Sequence, residues 1–342
     1  MGDPFFYEGA EKLLEVWFTG TVSSSEDSGG GRPTDLRAIP RYELDELLKT
    51  IGAEIISVMS SSTVDAYVLS ESSMFVSADR IILKTCGTTK LIAAICPLVK
   101  LTKQYTSLGE ITELYYSRKE FLRPDLQDPV YSSFPIESKQ LDTGFDGTAY
   151  TFGEGDRRWY MYAFTADGSR NAAASCCLEI MMEQLDPAVM AIFTRKVSES
   201  AKCATERSGI DKLVVNLNID DFLFDPCGYS MNGLTPAGHY ATIHITPESA
   251  FSYVSFETNV PLDQYPAIVK RVLAAFRPGK FICAVHADNK INDMAKEESL
   301  RLGFIKLAEE TDTFEGFKLL DIEAISLRNH RLSYLSFVQD IT

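Results

Sequence analysis

Residues 66–84, AYVLSESSMFVSADRIILK, read as short strands joined by tight turns. Tyr67, Val68 and Leu69 run into the polar turn Ser70-Glu71-Ser72-Ser73, and Met74, Phe75 and Val76 run out of it. Aromatic and β-branched residues bounded by small polar ones suit strands. A second stretch, HYATIHITPESAFSYVSFETN at residues 239–259, has the same order of strand, turn carrying Glu-Ser, and strand. In that comparison Glu71-Ser72 matches Glu248-Ser249. Two such blocks favour a duplicated α+β unit over unrelated domains. Strands fall in adjacent runs, so antiparallel sheets are expected and a Rossmann fold is not. Neither G-x-G-x-x-G nor G-x-x-x-x-G-K-[ST] occurs.

Outward from these blocks, strands are expected at residues 55–59, 66–69, 74–77, 80–85, 113–121 and 157–164. A helix is expected over residues 88–106, with Pro97 as a kink or boundary. The second half gives a strand at 177–184 and a helix at 187–194 started by Asp186-Pro187. A hairpin at 240–246 and 251–258, a helix at 262–276 stopped by Pro278-Gly279, and a strand at 280–286 follow. Residues 8–18 read as an amphipathic helix, with Leu14 and Phe18 on one face and Glu8, Glu11 and Glu15 on another. Residues 23–32, SSSEDSGGGR, read as a flexible loop.

The 342 residues, 45% hydrophobic and 24% charged, exclude disorder, collagen and coiled coil. Acidic residues outnumber basic ones 48 to 33, a net charge of −15. A chain this acidic suits a cationic ligand and argues against nucleic acid or an anionic membrane, whose binding needs basic patches. The seven cysteines form no C-x-x-C and are odd in number, which points to free thiols in a reducing compartment. The first eight residues lack a basic region followed by an apolar run, so no signal peptide is expected. After Met1-Gly2, Phe6 stands where myristoylation wants Ser or Thr. The longest uncharged apolar run, between Lys90 and Lys100, contains Pro97. It falls short of the roughly 18–20 residues of a membrane span. A cytoplasmic protein is expected.

Generic catalytic motifs fail. Residues 228–232, GYSMN, resemble a nucleophile elbow but end in Asn232 where Gly is needed. None of the four histidines has a His or Cys at metal-ligand spacing, so no metal is expected. His244 sits between Ile243 and Ile245, where a structural histidine is the default. Cys86, before Gly87-Thr88-Thr89, is by default a small buried hydrophobe. Glu8, Glu11 and Glu15 are by default a solvated face, and Ser70-Glu71-Ser72-Ser73 a polar turn.

At these same residues the chain resembles the eukaryotic S-adenosylmethionine decarboxylases, which carry a pyruvoyl group. The resemblance rests on FYEGAEKLLEVWF (6–18), YVLSESSMFVS (67–77), ILKTCGTT (82–89), YYSRKEF (115–121), LDPAVM (185–190), DPCGYSMNG (225–233), TIHITPE (242–248) and FSYVSFETN (251–259). It implies one domain over residues 1–342, with repeat halves near 1–170 and 171–342. It further implies a four-layer αββα sandwich of two antiparallel β-sheets flanked by helices, from an internal duplication.

The resemblance also implies self-cleavage between Glu71 and Ser72. The Ser72 hydroxyl attacks the Glu71 carbonyl carbon and converts amide to ester. His244 is the candidate base for the Ser72 α-proton, a role that suits an imidazole, and Ser230 assists processing. Hydrolysis then leaves Ser72 as a self-generated, covalent pyruvoyl group; neither metal nor pyridoxal phosphate is expected. That ketone condenses with the amino group of S-adenosylmethionine and accepts electrons as carbon dioxide leaves. Cys86 matches the proton donor, with Glu8 and Glu11 flanking the site. Tyr7 and Phe224 are expected to sandwich the adenine. Glu248 accepts from the ribose hydroxyls, and backbone groups near Leu69 and Glu71 read the adenine edge. The product is the aminopropyl donor of spermidine and spermine synthesis.

Family members that bind putrescine do so in a buried acidic pocket. Glu15, Lys84, Glu179 and Glu257 match its charged network, with Tyr115, His286 and His330 at its aromatic positions. Ser175 stands where an Asp is expected and Cys177 where a Thr is expected. Losing a carboxylate and gaining two potential cations weakens a diamine site, so putrescine activation is doubtful. Monomers and homodimers of processed units are both expected forms. A catalytically inactive homologue, regulating an active decarboxylase, is the alternative.

Overall fold

The segment expected as the first helix is a strand. β1 (Lys12–Gly20) lies between β5 (Arg80–Thr85) and β6 (Leu108–Lys119), paired antiparallel to both. Leu14, Val16 and Phe18 enter the apolar core from one face, while Leu13, Glu15 and Trp17 belong to the other. The four-residue spacing of Leu14 and Phe18, or of Glu11 and Glu15, fits a helix and is also an even spacing. It therefore keeps each pair on one face of a strand as well.

The computed structural model describes residues 6–20, 32–167, 175–289 and 313–340. Most of the expected loop at 23–32 and of residues 291–313 therefore lies outside the described residues. The chain divides into two compact units. One comprises Ala10–Thr151 and Arg158–Asn171; the other comprises Met1–Gly9, Phe152–Arg157 and Ala172–Thr342.

In the first unit, β2 (Ile55–Ser60), β3 (Val64–Leu69), β4 (Ser72–Ser77) and β5 form a meander. β1, β6, β8 (Trp159–Thr165) and β7 (Thr148–Phe152) complete an eight-stranded sheet. Helices α1 (Arg41–Ile51) and α2 (Ile95–Tyr105) bury Leu44, Leu48, Leu98 and Leu101 against Leu14, Met74, Leu83 and Tyr116. Gly52, left-handed at φ 84°, ends α1. Pro97 sits in the first turn of α2, which is preceded by a 3-10 turn at Leu91–Ala94. A third helix, α3 (Phe134–Leu141), follows β6.

The second unit repeats this plan. Its sheet runs β10 (Asn218–Leu223), β11 (Tyr229–Leu234), β12 (Tyr240–Thr246), β13 (Tyr253–Thr258), β9 (Cys176–Glu183), β14 (Lys280–Asp288), β17 (His330–Gln339), β16 (Phe317–Ser326) and β15 (Thr313–Phe314). A short α4 (Pro187–Met190) follows β9, and α5 (Ala201–Ser208) precedes β10. The long α6 (Tyr265–Phe276) buries Ile268, Val269, Val272 and Phe276 against Ile180, Ile243, Phe256 and Phe337. Each unit thus contributes one antiparallel sheet and one helical layer.

The strand orders correspond position by position: β1 with β9, β2–β5 with β10–β13, β6 with β14. This corrects the register of the repeat. The turn at Glu71 joins β3 to β4, whose counterparts are β11 and β12, whereas Glu248-Ser249 lies between β12 and β13. The two Glu-Ser turns look alike but are not equivalent. No helix among the described residues is long and apolar enough to cross a membrane.

A buried ion pair braces the first unit. Arg118 Nε donates to both Glu137 carboxylate oxygens, at 3.1 and 2.8 Å, and both side chains are fully buried. The guanidinium also lies 4.0 Å from the Phe121 ring centroid. Removing one partner leaves an uncompensated buried charge. Glu137→Ala is therefore expected to lower stability by about 3–5 kcal/mol in urea unfolding. A loss under roughly 1 kcal/mol, the size of a surface pair, would contradict the reading.

Candidate active site

Antiparallel register builds the site. Ser72 opens β4, with Leu69 of β3 on one side and Thr85 of β5 on the other. Glu71 is the preceding turn residue and Cys86 follows Thr85, so these two also meet across the hairpins. The Glu71 carbonyl oxygen accepts from the Cys86 backbone N–H at 2.9 Å and from the Cys86 thiol at 3.0 Å. Ser72 is buried and has a φ of +141°, a conformation rarely adopted outside glycine. Its hydroxyl donates to Glu11 Oε1. Glu11 Oε2 lies 3.4 Å from the Lys84 ammonium, both side chains being buried.

One carbonyl therefore faces two donors, while the adjacent hydroxyl is held by a carboxylate on a strained backbone. Such an arrangement polarises an electrophile and orients its neighbour as nucleophile. An intramolecular acyl shift from nitrogen to oxygen is the reaction it favours.

The second unit carries a further polar group on the sheet face opposite its helices. Register sets Ser230 of β11 beside His244 of β12. Ser230 Oγ is 2.8 Å from His244 Nδ1, and Thr242 Oγ1 is 2.8 Å from Nε2. A neutral imidazole has one donor and one acceptor nitrogen, and a hydroxyl can meet either, so the two contacts fix the orientation of the ring. Sequence reading found Ser230 and His244 but missed Thr242. Its signal was the two-residue spacing from His244, which puts both on one strand face.

Nearby in the same unit, the turn from Phe224 to Gly228 closes through Phe224 N–H to Gly228 O at 2.9 Å. The ring of Phe224 meets that of Phe222 edge-on at 4.8 Å. From this turn the Cys227 thiol donates to Glu248 Oε1 at 3.5 Å. The other oxygen, Oε2, is buried with no hydrogen-bond partner.

A protein-family model described as Adenosylmethionine decarboxylase matches residues 4–338. The chain belongs to this family. It is 39% identical to an S-adenosylmethionine decarboxylase proenzyme of Caenorhabditis elegans, over 98% of this chain and 89% of the relative. Identity to the proenzyme of that name from Xenopus laevis is 41%, over 98% and 96% of the two chains. The fold is shared with a solved Trypanosoma brucei structure, the AdoMetDC-delta26 monomer. That likeness has a TM-score of 0.58 at 24% identity and covers 78% of this chain and 98% of the other.

The remaining family positions fall as follows. Leu69 is buried beside Ser72, and Glu8 is buried in the segment ahead of β1. Tyr7, in the same segment, is half-buried. The residues expected in the charged network make these contacts. Lys84 pairs with Glu11, whereas Glu15 accepts from Trp17 Nε1 at 2.6 Å and meets Arg80 at 3.5 Å. Tyr115 donates to Glu113 Oε2 at 3.0 Å, and burial pushes its phenol well above the usual range. Glu113 is fully buried and was not found from sequence. In the second unit Tyr240 donates to Glu257 Oε1 at 2.6 Å, and Cys177 Sγ lies 3.9 Å from the Tyr240 hydroxyl. Glu257 is opposite Glu179 across β13 and β9. Ser175 contributes its carbonyl to the backbone N–H of Asp288 at 2.8 Å. The His286 and His330 rings lie 4.5 Å apart. Among the described residues no group of three or more His, Cys, Asp or Glu could hold a metal ion.

Thiol chemistry gives a direct check on these surroundings. Burial, then the Glu248 carboxylate, pushes the Cys227 thiol up to about 11. Burial and Glu179 push Cys283 up to about 12. The thiolate is the reactive form, so raised values suppress alkylation at neutral pH. Iodoacetamide at pH 7.5 should label exposed Cys96 while sparing Cys227 and Cys283. Labelling of Cys227 should rise only toward pH 11. Peptide mapping that finds Cys227 labelled as fast as Cys96 at pH 7.5 would contradict these surroundings.

Proposed function

We propose that this chain cleaves itself between Glu71 and Ser72 and then decarboxylates S-adenosylmethionine as a pyruvoyl enzyme. The observation that carries the reading is the Glu71-Ser72 peptide. Its carbonyl takes two hydrogen bonds from Cys86, and Ser72, at φ +141°, donates its hydroxyl to Glu11. The relatives' name, proenzyme, agrees with processing.

In the first step Ser72 Oγ attacks the Glu71 carbonyl carbon as Glu11 takes the hydroxyl proton. Cys86 N–H and S–H hold the oxyanion that develops on the Glu71 oxygen. The C–N bond then breaks, the Ser72 nitrogen gains a proton, and an ester joins Glu71 to Ser72 Oγ. Leaving the strained φ favours this direction. A base next removes the Ser72 α-proton, and the Glu71 carboxylate departs from the β-carbon. We assign that base to His244, oriented by Ser230 and Thr242. The dehydroalanine so formed tautomerises to an imine, and one water adds to its carbon, supplying the ketone oxygen on residue 72 as the nitrogen leaves as ammonia.

That ketone supplies an electron sink for the pair released with carbon dioxide. The Cys86 thiol delivers a proton to the substrate α-carbon. Phe224 and Tyr7 stack on the adenine, and Glu248 Oε2 accepts from a ribose hydroxyl. Carboxylates of Glu8 and Glu11 favour the sulfonium cation. The product is the decarboxylated aminopropyl donor used for polyamines. Seven free thiols fit a cytoplasmic setting.

Putrescine is not required in this reading. His286 and His330, whose rings lie 4.5 Å apart in the unit that carries Glu179 and Glu257, are the side chains we assign to the place of a diamine. Release of carbon dioxide should be the same with and without millimolar putrescine. A several-fold stimulation would overturn that part alone.

Denaturing intact-mass measurement tests the main reading. The purified protein should give chains of residues 1–71 and 72–342, and Ser72→Ala should remain one chain. Cys86→Ala retains the backbone donor, so it should cleave slowly and lose turnover by roughly a hundredfold or more. A wild-type chain that stays intact and releases no carbon dioxide would overturn the reading.

A further inference from the structure

Lys12 is fully buried at the start of β1, and its ammonium donates to the Gly87 carbonyl at 2.8 Å. Gln127 Nε2 donates to the same oxygen at 3.3 Å, and the Phe121 ring centroid lies 5.3 Å from the ammonium. Burying an ammonium is costly, so its placement against this backbone oxygen calls for a reason. That oxygen belongs to the residue after Cys86. Gly87 has a φ of +61°, and its carbonyl direction follows from that left-handed conformation. Thr89 Oγ1 holds the Cys86 carbonyl in turn, at 2.9 Å. Both carbonyls of the turn are therefore anchored while the Cys86 N–H and thiol point at Glu71.

The register gives the arrangement its meaning. Lys12 lies opposite Thr85 of β5, and Thr85 lies opposite Ser72 of β4. Its neighbour Glu11 accepts from the Ser72 hydroxyl. Successive residues of an extended chain project to opposite sides. Two adjacent residues thus hold the two reacting partners, Glu11 the nucleophile and Lys12 the turn whose donors face the electrophile.

We propose that Lys12 is a positioning residue for self-cleavage, fixing the Cys86-Gly87 turn so that both Cys86 donors stay on the Glu71 carbonyl, with Gln127 supporting it. This rests on the reading that the chain is cut at Glu71-Ser72. Displacing oriented groups by about an ångström costs up to about a hundredfold in rate. In freshly translated full-length chain, Lys12→Met should slow cleavage roughly tenfold to a hundredfold. Gln127→Leu should slow it less.

Measurement in a Cys86→Ala background separates positioning from general weakening of the fold. There only the backbone donor remains, so the fold-loss from Lys12→Met or Gln127→Leu should shrink severalfold. Equal losses in both backgrounds would overturn the proposal, as would wild-type cleavage rates for both single variants. If Lys12→Met does not fold, the Gln127→Leu comparison decides alone. A wild-type chain that never cleaves removes the underlying reading, and the proposal with it. Cleaving wild type with unaffected variants removes the proposal only.

Discussion

The structure depends on one strained hairpin corner. The turn that joins β3 to β4 forces Ser72 to a φ of +141° and aims the Glu71 carbonyl at Cys86. Strain of this kind costs on the order of 1–3 kcal/mol and persists only where surrounding structure imposes it. Here four pairings impose it: β3 with β4, β4 with β5, β5 with β1, and β1 with β6. A one-residue slip in any of these would turn the reacting groups to the wrong face. The extended hydrophobic face packed under α1 and α2 is what forbids that slip.

Much of this was legible in the sequence. The four strands at 55–85, the hairpin at 240–258 and the helix ending at Phe276 follow from composition and turn chemistry, and the structure has them all. β1 was misread for a definite reason. Both of its faces are largely buried, so polar alternation is weak, and its even spacings of four also satisfy a helix. The repeat was recognised but shifted by one hairpin, because a shared Glu-Ser turn outweighed strand order. Topology, a property of the whole sheet, is what restores the alignment.

The site divides in the same way. Resemblance picks out Ser72, Cys86, Ser230 and His244 as residue types in recognisable strings. The strained φ, the doubly bonded Glu71 carbonyl and the Glu11 contact depend on register and backbone angles that no local string encodes. Buried charges were the least visible. Lys12, Glu113, Arg118 and Glu137 look like ordinary surface residues until pairing places them inside. Acidity, too, has structure: the carboxylates of Glu8 and Glu11 are buried, as is Oε2 of Glu248, whereas exposed acids favour solubility.

The central claim is that residue 72 becomes the electrophile. Purified protein mixed with S-adenosylmethionine and reduced with cyanoborohydride tests it most directly, by mapping where the substrate amine is attached. The account expects the adduct on residue 72, at the N-terminus of the larger chain, and none after Ser72→Ala. An adduct on a lysine, or carbon dioxide release with residue 72 still a serine, would contradict it.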